Sequence, residues 1–214
     1  MKKTAYFPFI LLFLVSCKSW VSIPDDFDYG RMEKGRYIND YFSFNCGVPD
    51  GWQVILHDGL DSITKESLDA MRDDNPDAVK TIEASSVRSA QLVAMTQTEG
   101  DTGEYLMSSF VITVENVRLN TDIKNGKDYL QAATETLTSS GLHMEVAGDI
   151  TAVTLGGKEF YKLPINNAEG LFTLHQLFYA TIINRFAFVV VSTYDTDSQL
   201  EKLEKALGDF VFEK

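Results

Sequence analysis

Three histidines are the side chains best suited to acid–base or metal chemistry in this chain. His57, His143 and His175 are far apart in the sequence, with no H-x-x-x-H or H-x-x-E-H spacing and no cysteine cluster beside them. Closed zinc sites usually contain paired ligands at short spacing, so no metal site is predicted. His175 is the strongest ligand-binding candidate because it lies in the middle of a predicted strand. We expect it to form a hydrogen bond at a sheet–helix interface; the alternative is that it lines a shallow pocket.

Nucleophiles and phosphate-binding loops give no further site. The sequence has no G-x-S-x-G elbow, P-loop or G-x-G-x-x-G motif. The acidic string Asp73-Asp74-Asn75-Pro76-Asp77 lacks the spacing of a calcium loop and is interpreted as a solvated loop. We therefore predict no catalytic residue, no cofactor and no enzymatic activity. A hydrolase is the weakest alternative, and would require His57 or His175 to meet a carboxylate and a nucleophile in a cleft.

Cys17 is the residue whose surroundings indicate a chemical modification. Lys2 and Lys3 precede an apolar run that is too short to span a bilayer, which is typical of a secretory leader. The run ends in Leu14-Val15-Ser16-Cys17, which resembles a bacterial lipobox. This resemblance implies a signal peptide at 1–16 and a diacylglyceryl thioether on Cys17. The alternative is an ordinary secreted protein with an incidental cysteine, but an A-x-A-like cleavage site is absent.

The residue after Cys17 bears on the choice of membrane. Lys18 stands where an aspartate would mark retention in the inner membrane of enteric bacteria. We therefore expect a lipid-anchored protein of the cell envelope, in the outer membrane in preference to the inner one.

The charge balance limits the partners. The 214 residues include 31 acidic and 19 basic side chains, for a formal net charge of −12. Nucleic-acid binding is disfavoured because it requires clustered Lys and Arg. Adhesion of the protein surface to anionic headgroups is disfavoured for the same reason, so the acyl chains are expected to provide the membrane contact. If Cys17 is lipidated, Cys46 has no partner for an internal disulfide.

The order of apolar and turn residues predicts a short tether followed by one domain. Residues 17–35 contain Pro24, Gly30 and Gly35 without a clear period, and are interpreted as a lipidated tether; the domain then spans 36–214. It opens with alternating apolar residues that predict a strand with Cys46 on its buried face, followed by the turn Pro49-Asp50-Gly51 and a strand that begins near Trp52.

The rest of the chain mixes helical and strand patterns. Helices are predicted at 61–72, at 125–140 with Gly141 as the C-terminal cap, and after a capping box formed by Thr196 and Gln199. Strands are predicted at 89–97 and 105–117, on both sides of Gly156-Gly157, and as two long central strands at 171–181 and 186–194.

The start of the domain carries a family resemblance. Tyr41-Phe42-Ser43-Phe44 followed by Val48-Pro49-Asp50-Gly51-Trp52 resembles the opening of the PsbP-like proteins. That group shares an α/β/α sandwich with the Mog-type nuclear import factor and the DcrB-like bacterial lipoproteins. Residues 156–161 and 186–192 resemble it as well, and the match spans 36–214. The acidic insert at 57–85 departs from the family pattern.

The resemblance implies an α+β fold, an α/β/α sandwich whose mainly antiparallel sheet is flanked by helices. Its members are mostly accessory or binding proteins without a shared active site, so Pro49, Gly51 and Trp52 carry over as structural residues only. We expect a membrane-anchored lipoprotein with a non-catalytic binding or assembly domain and an envelope protein as partner. The alternative is a carrier of a small apolar or amphiphilic ligand held between sheet and helices.

Tyr29, Tyr37 and Tyr105 are candidates for an exposed contact patch.

Overall fold

The computed structural model describes residues 22–73, 76–98, 107–139, 144–169 and 172–213. Cys17, Tyr105, Gly141 and His143 lie outside the described residues. What the sequence predicts for them therefore stays a prediction.

The described residues form twelve strands and four helices, which turns and loops connect. The strands are β1 (Arg31–Glu33), β2 (Arg36–Asn39), β3 (Phe44–Gly47), β4 (Gln53–Leu56), β5 (Ser89–Thr98), β6 (Met107–Asn116), β7 (Met144–Val146), β8 (Thr151–Leu155), β9 (Lys158–Glu169), β10 (Phe172–Ile183), β11 (Phe186–Tyr194) and β12 (Val211–Phe212). The helices are α1 (His57–Met71), α2 (Pro76–Ser86), α3 (Gly126–Ser139) and α4 (Asp197–Leu207).

An eight-stranded antiparallel sheet forms the middle layer. Its strands follow the order β4-β5-β6-β11-β10-β9-β7, and β8 pairs with β9. The pairing of β11 with β6 and β10 places the two long apolar strands at the centre, as the sequence predicts. The tight turn at Gly156-Gly157 is also confirmed, since both residues have a positive φ and β8 and β9 pair on either side of it.

Helices cover one face of this sheet. Tyr129 and Leu130 of α3 pack with Phe178, Ala187 and other apolar residues of the central strands. Leu60 of α1 packs separately on Ala94 and Val111. The predicted α+β class with a mainly antiparallel sheet is confirmed by this arrangement.

The opposite face carries an unpredicted second sheet beside α4. Four short strands form it in the order β1-β2-β3-β12. Phe44 of β3 packs edge-on against Phe188 of β11, with ring centroids 5.1 Å apart. The alternation from Phe42 predicts one strand, but Ser43 has a φ of 48°, so β3 begins at Phe44. The second sheet could not be predicted from local patterns, because β3 pairs with β12, which lies at the far end of the chain.

The predicted tether boundary at residue 35 is wrong for the described part of the segment. Phe27 is only 7% exposed and its ring packs on Phe186, and β1 pairs with β2. Burial of an aromatic ring stabilises a segment even where the apolar residues of that segment show no clear period. Residues 22–35 therefore belong to the domain.

The acidic insert forms a helical pair. The predicted helix begins four residues earlier than expected, at His57. Pro76 then opens α2, where a solvated loop was predicted from the Asp73–Asp77 string; this prediction is wrong from Pro76 onward. Proline suits the first helical position, because its fixed φ is helical and its missing N–H has no partner there anyway.

The remaining helices begin with side-chain caps. Asn125 accepts the Asp128 N–H through its side chain at 3.0 Å, so the start of α3 is as predicted. Thr196 and Gln199 form the predicted capping box at α4. Gly126, at the start of α3, lies directly against the Ala180 carbonyl group, which leaves no room for a Cβ atom.

Candidate functional site

A groove of about 310 Å³ lies where the N-terminal segment meets the acidic insert. Its walls come from residues 22–29, the first turns of α1, the end of α2 and the beginning of β5. The lining residues are Ile23, Tyr29, His57, Asp61, Thr64, Ser86, Val87, Ser89, Ala90 and Gln91. We call this site the insert groove.

His57 is held in a defined position in the insert groove. Its ring stacks on Tyr29, with centroids 3.8 Å apart and planes at 11°. Its Nδ1 lies 2.8 Å from the Gln91 carbonyl oxygen. A carbonyl oxygen can only accept, so Nδ1 carries the proton and Nε2 of the neutral ring is an acceptor.

Negative charge surrounds this pair. Asp61 follows His57 by one helical turn and therefore shares its side of α1. Burial raises the pKa of Tyr29 above its ordinary value, and the carboxylates of Asp61 and Asp25 raise it further. The groove is thus a site of negative potential that favours cations and hydrogen-bond donors.

Two hydroxyls of the insert groove are turned to other acceptors. Thr64 donates to Oε1 of Gln91 at 3.5 Å, and Ser86 donates to the Glu83 carbonyl oxygen at 2.8 Å. Neither proton is directed to His57. The arrangement presents acceptors to a ligand and does not pair these hydroxyls with the imidazole as a nucleophile and base.

A buried ionic network lies beside the groove. Ser89, a groove residue, stands opposite Glu115 in the sheet. Glu115 is 2% exposed; its Oε1 lies 3.0 Å from Arg88 Nε, and its Oε2 accepts the Tyr129 hydroxyl at 2.9 Å. Desolvation raises the pKa of Glu115, although Arg88 and Tyr129 oppose the shift. The network ties the loop after α2 to α3.

His175, the candidate from the sequence, lies away from the insert groove. It is in β10, and its Nδ1 is 2.9 Å from Oδ1 of Asn166 on β9. Its ring stacks on Tyr194 of β11, with centroids 5.5 Å apart. The hydrogen-bond partner of His175 is thus on a neighbouring strand of the sheet.

Cys46 and the Pro49–Trp52 turn are structural in their contacts. Cys46 is fully buried, and desolvation raises the pKa of its thiol to about 12. The backbone N–H of Trp52 donates to the Pro49 carbonyl oxygen at 3.1 Å, and Gly51 has the positive φ that the turn requires. The Trp52 ring belongs to the core, where it packs 6.0 Å from Phe110.

The tyrosine patch predicted from the sequence does not form as expected. Tyr37 is fully buried, and its hydroxyl donates to the Tyr29 carbonyl oxygen at 2.7 Å. Tyr29 is half-buried in the insert groove. The sequence points to Tyr29 as a contact residue but misses Asp61, because an exposed acid on an acidic helix carries no distinguishing pattern.

The described residues contain neither a cluster of metal-ligating side chains nor a membrane-spanning helix. Within them, no three or more His, Cys, Asp or Glu side chains gather closely enough to hold a metal ion. None of the helices in the described ranges is both long and apolar enough to cross a membrane.

Comparison with known proteins finds similarity in structure only. No family model and no curated protein matches the chain. The solution structure of cyanobacterial PsbP (CyanoP) from Synechocystis sp. PCC 6803 is similar, with a TM-score of 0.49 and 13% identity over 83% of this chain and 91% of that chain. The crystal structure of LpqN, involved in cell envelope biogenesis of Mycobacterium tuberculosis, has a TM-score of 0.45 and 14% identity over 78% and 82%.

Proposed function

We propose that this protein is an envelope lipoprotein whose domain is a non-catalytic binding module, and that its insert groove receives a basic segment of an envelope protein. The observation that carries the proposal is the acceptor-lined groove of His57, Asp61 and Tyr29, built partly from the first described residues after Cys17. A lipid on Cys17 would hold this groove near the bilayer.

The chemistry of the groove supports a lysine or arginine as the group that binds. Nε2 of His57 and the Asp61 carboxylate are acceptors, and both belong to one side of α1. A guanidinium or ammonium group supplies several donors without any acceptor, so it matches this lining better than a neutral or anionic group does. The partner is therefore expected to be recognised by charge and hydrogen bonds.

A pull-down from crosslinked, intact envelopes tests the proposal. We expect the lipidated wild-type chain to recover a specific protein that Asp61→Asn and Cys17→Ala each fail to recover. Glu66→Gln is the matched control: it removes one charge from the same helix, but five residues along and roughly 140° around the axis. Loss of the partner in Glu66→Gln as well would contradict recognition by the insert groove.

A second candidate function is the carriage of a small ligand in the same groove. Its volume lies at the lower end of the range for small-molecule sites. In this second proposal the ligand lies at the surface, between the N-terminal segment and the insert, whereas the sequence predicts a ligand between sheet and helices. A small molecule that co-purifies with wild type but not with Asp61→Asn, without any crosslinked protein, would favour the carrier.

A further inference from the structure

We propose that the end of the domain around Ser22 is a docking face for the phospholipid headgroups of the bilayer that holds Cys17. The face consists of Val87, Arg118, Leu119 and Arg185. The inference rests on the proposed anchoring, and adds that the protein surface itself, and not only the acyl chains, contacts the membrane.

The length of chain before the domain limits how the domain can turn. Only residues 18–21 separate Cys17 from Ser22. Fully extended, this stretch reaches about 17 Å. That is close to the radius of gyration of about 16 Å expected for a domain of this size. The end that bears Ser22 must therefore stay next to the bilayer.

Hydrogen bonds hold Ser22 in place on the domain. The Asn116 side chain donates to the Ser22 carbonyl oxygen at 3.1 Å, and Ile23 N–H donates to the Val87 carbonyl oxygen at 3.1 Å. The point where the chain leaves the domain is thus fixed to β6 and to the loop after α2.

The same backbone brings the two arginines of the face together. Arg118 N–H donates to the Asn116 side chain at 3.1 Å, and Val117 N–H donates to the Arg185 carbonyl oxygen at 3.0 Å. Asn116 therefore connects Ser22 directly to Arg118, and its neighbour Val117 connects to Arg185.

The exposed side chains suit a lipid surface. Leu119 is 49% exposed and Val87 is 42% exposed, among the most exposed large apolar side chains of the described chain. Arg118 and Arg185 are exposed, and neither forms an ion pair with a carboxylate of a described residue. Guanidinium groups bind phosphate in a bidentate manner, and apolar side chains can insert between headgroups.

The turn between β10 and β11 holds Arg185 in an unusual backbone conformation. Asn184 and Arg185 both have positive φ values, 52° and 67°. Two-residue hairpins of this kind favour Asn followed by Gly, because glycine adopts this conformation without strain. Arginine therefore occupies a position with backbone strain that glycine would avoid, and its exposed side chain extends from a fixed tight turn.

The overall acidity explains why the contact requires the anchor. Exposed Asp26 and Asp122 lie in the neighbouring loops, and the whole chain has a net charge of −12. The free domain is therefore not expected to adhere to membranes. A lipid tether raises the effective concentration of the face at the surface to the millimolar range, where a few weak contacts suffice.

Site-specific fluorescence tests whether this face contacts the membrane. The lipidated full-length chain is reconstituted in vesicles of neutral and anionic phospholipid. Leu119→Cys carries an environment-sensitive label, while Cys46 stays unlabelled because it is buried. Val146→Cys is the control, since Val146 is similarly exposed but lies on the edge strand β7. We expect a blue shift of the label at 119 and its quenching by spin-labelled lipids, with neither change at 146.

Charge reversal tests the arginines in the same assay. Arg118→Glu combined with Arg185→Glu should abolish the blue shift at 119, whereas Lys34→Glu combined with Lys65→Glu, the same change of charge elsewhere, should preserve it. A label at 119 that stays in water while the protein floats with the vesicles overturns the docking face alone. Failure to float overturns the anchoring, and the docking face with it.

Discussion

The imidazole ring of His57 lies flat on the phenol ring of Tyr29, with centroids 3.8 Å apart. This contact joins the N-terminal segment to the first turn of α1. The hydrogen bond from His57 to the Gln91 carbonyl oxygen then joins both to β5. Through one side chain, the segment nearest the proposed anchor is thus connected to the groove and to the central sheet.

The titration of Tyr29 should report the charge in the insert groove. Asp61→Asn is expected to lower the pKa of Tyr29 toward its ordinary value of 10.0, because it removes one of the carboxylates that raise it. The pKa should stay above that value, since burial is the larger cause. Ultraviolet titration checks this, with Tyr29→Phe identifying the transition. The same pKa in Asp61→Asn as in wild type would contradict the electrostatic coupling.

Glu115 should make the stability depend on pH in an unusual direction. Its folded-state pKa is raised above the ordinary 4.5, so the folded protein binds the proton more tightly than the unfolded chain. The associated stability is present below about pH 4.5 and is lost as the pH rises through the raised folded value. Urea unfolding over a pH series should therefore show wild type losing stability relative to Glu115→Gln as the pH rises.

Substitution of Arg88 tests the cation of the same ion pair. Arg88→Met leaves the Glu115 carboxylate buried without its cation, and should cost about 3 kcal/mol at neutral pH. The loss should shrink as Glu115 becomes protonated at lower pH. A cost that is the same at all pH values would show that Arg88 contributes through packing and not through charge.

The thiol count separates the two cysteines. Native protein should not react with a thiol reagent, because Cys46 is fully buried and its pKa is raised to about 12. In guanidinium, the lipidated chain should release one reactive thiol, since a thioether at Cys17 does not react. Two thiols would show that Cys17 is unmodified, and fast labelling before unfolding would contradict the burial of Cys46.

Gly126 should be intolerant of a side chain. Gly126→Ala places a Cβ atom against the Ala180 carbonyl group, which is backbone and cannot turn aside as a flexible side chain could. We expect a loss of about 1–3 kcal/mol in unfolding free energy, typical of overpacking. Lys127→Ala, at the next and exposed position, is the control and should change stability by less than about 0.5 kcal/mol. A stabilised Gly126→Ala would mean that helix propensity outweighs the clash.

Arg185→Gly should separate stability from membrane contact. Glycine relieves the left-handed backbone strain, which costs about 1–2 kcal/mol, and the gain is reduced by the extra entropy of glycine in the unfolded chain. We expect thermal unfolding at a higher temperature. We also expect a smaller blue shift of the label at position 119 in the presence of vesicles. A destabilised variant would show that the Arg185 side chain packs on the domain instead.

Local patterns predicted the parts of the fold that depend on near neighbours. The capping box needs only Thr196 and Gln199, three residues apart, and the turn at Gly156-Gly157 needs only its two glycines. The long apolar runs of β10 and β11 similarly predicted central strands. The Pro49–Gly51 turn was found for the same reason.

The insert groove could not be predicted in this way. Tyr29, His57 and Asp61 are each ordinary in their local sequence, and Gln91 offers only a backbone oxygen. The groove exists because residues 22–29, which have no clear period, pack on the sheet through Phe27. Hydrophobic burial against distant residues leaves no periodic trace in so short a segment.

By itself, the sequence determined the lipobox-like pattern that ends at Cys17, the acidic charge and the identity of the central strands, because each depends on composition or on neighbours a few residues apart. Only the tertiary structure decided that residues 22–35 belong to the domain, that β12 pairs with β3 from the far end of the chain, and that His57 and Tyr29 meet. Those contacts join residues that are distant in the chain, and their energy comes from burial and stacking that no local pattern records.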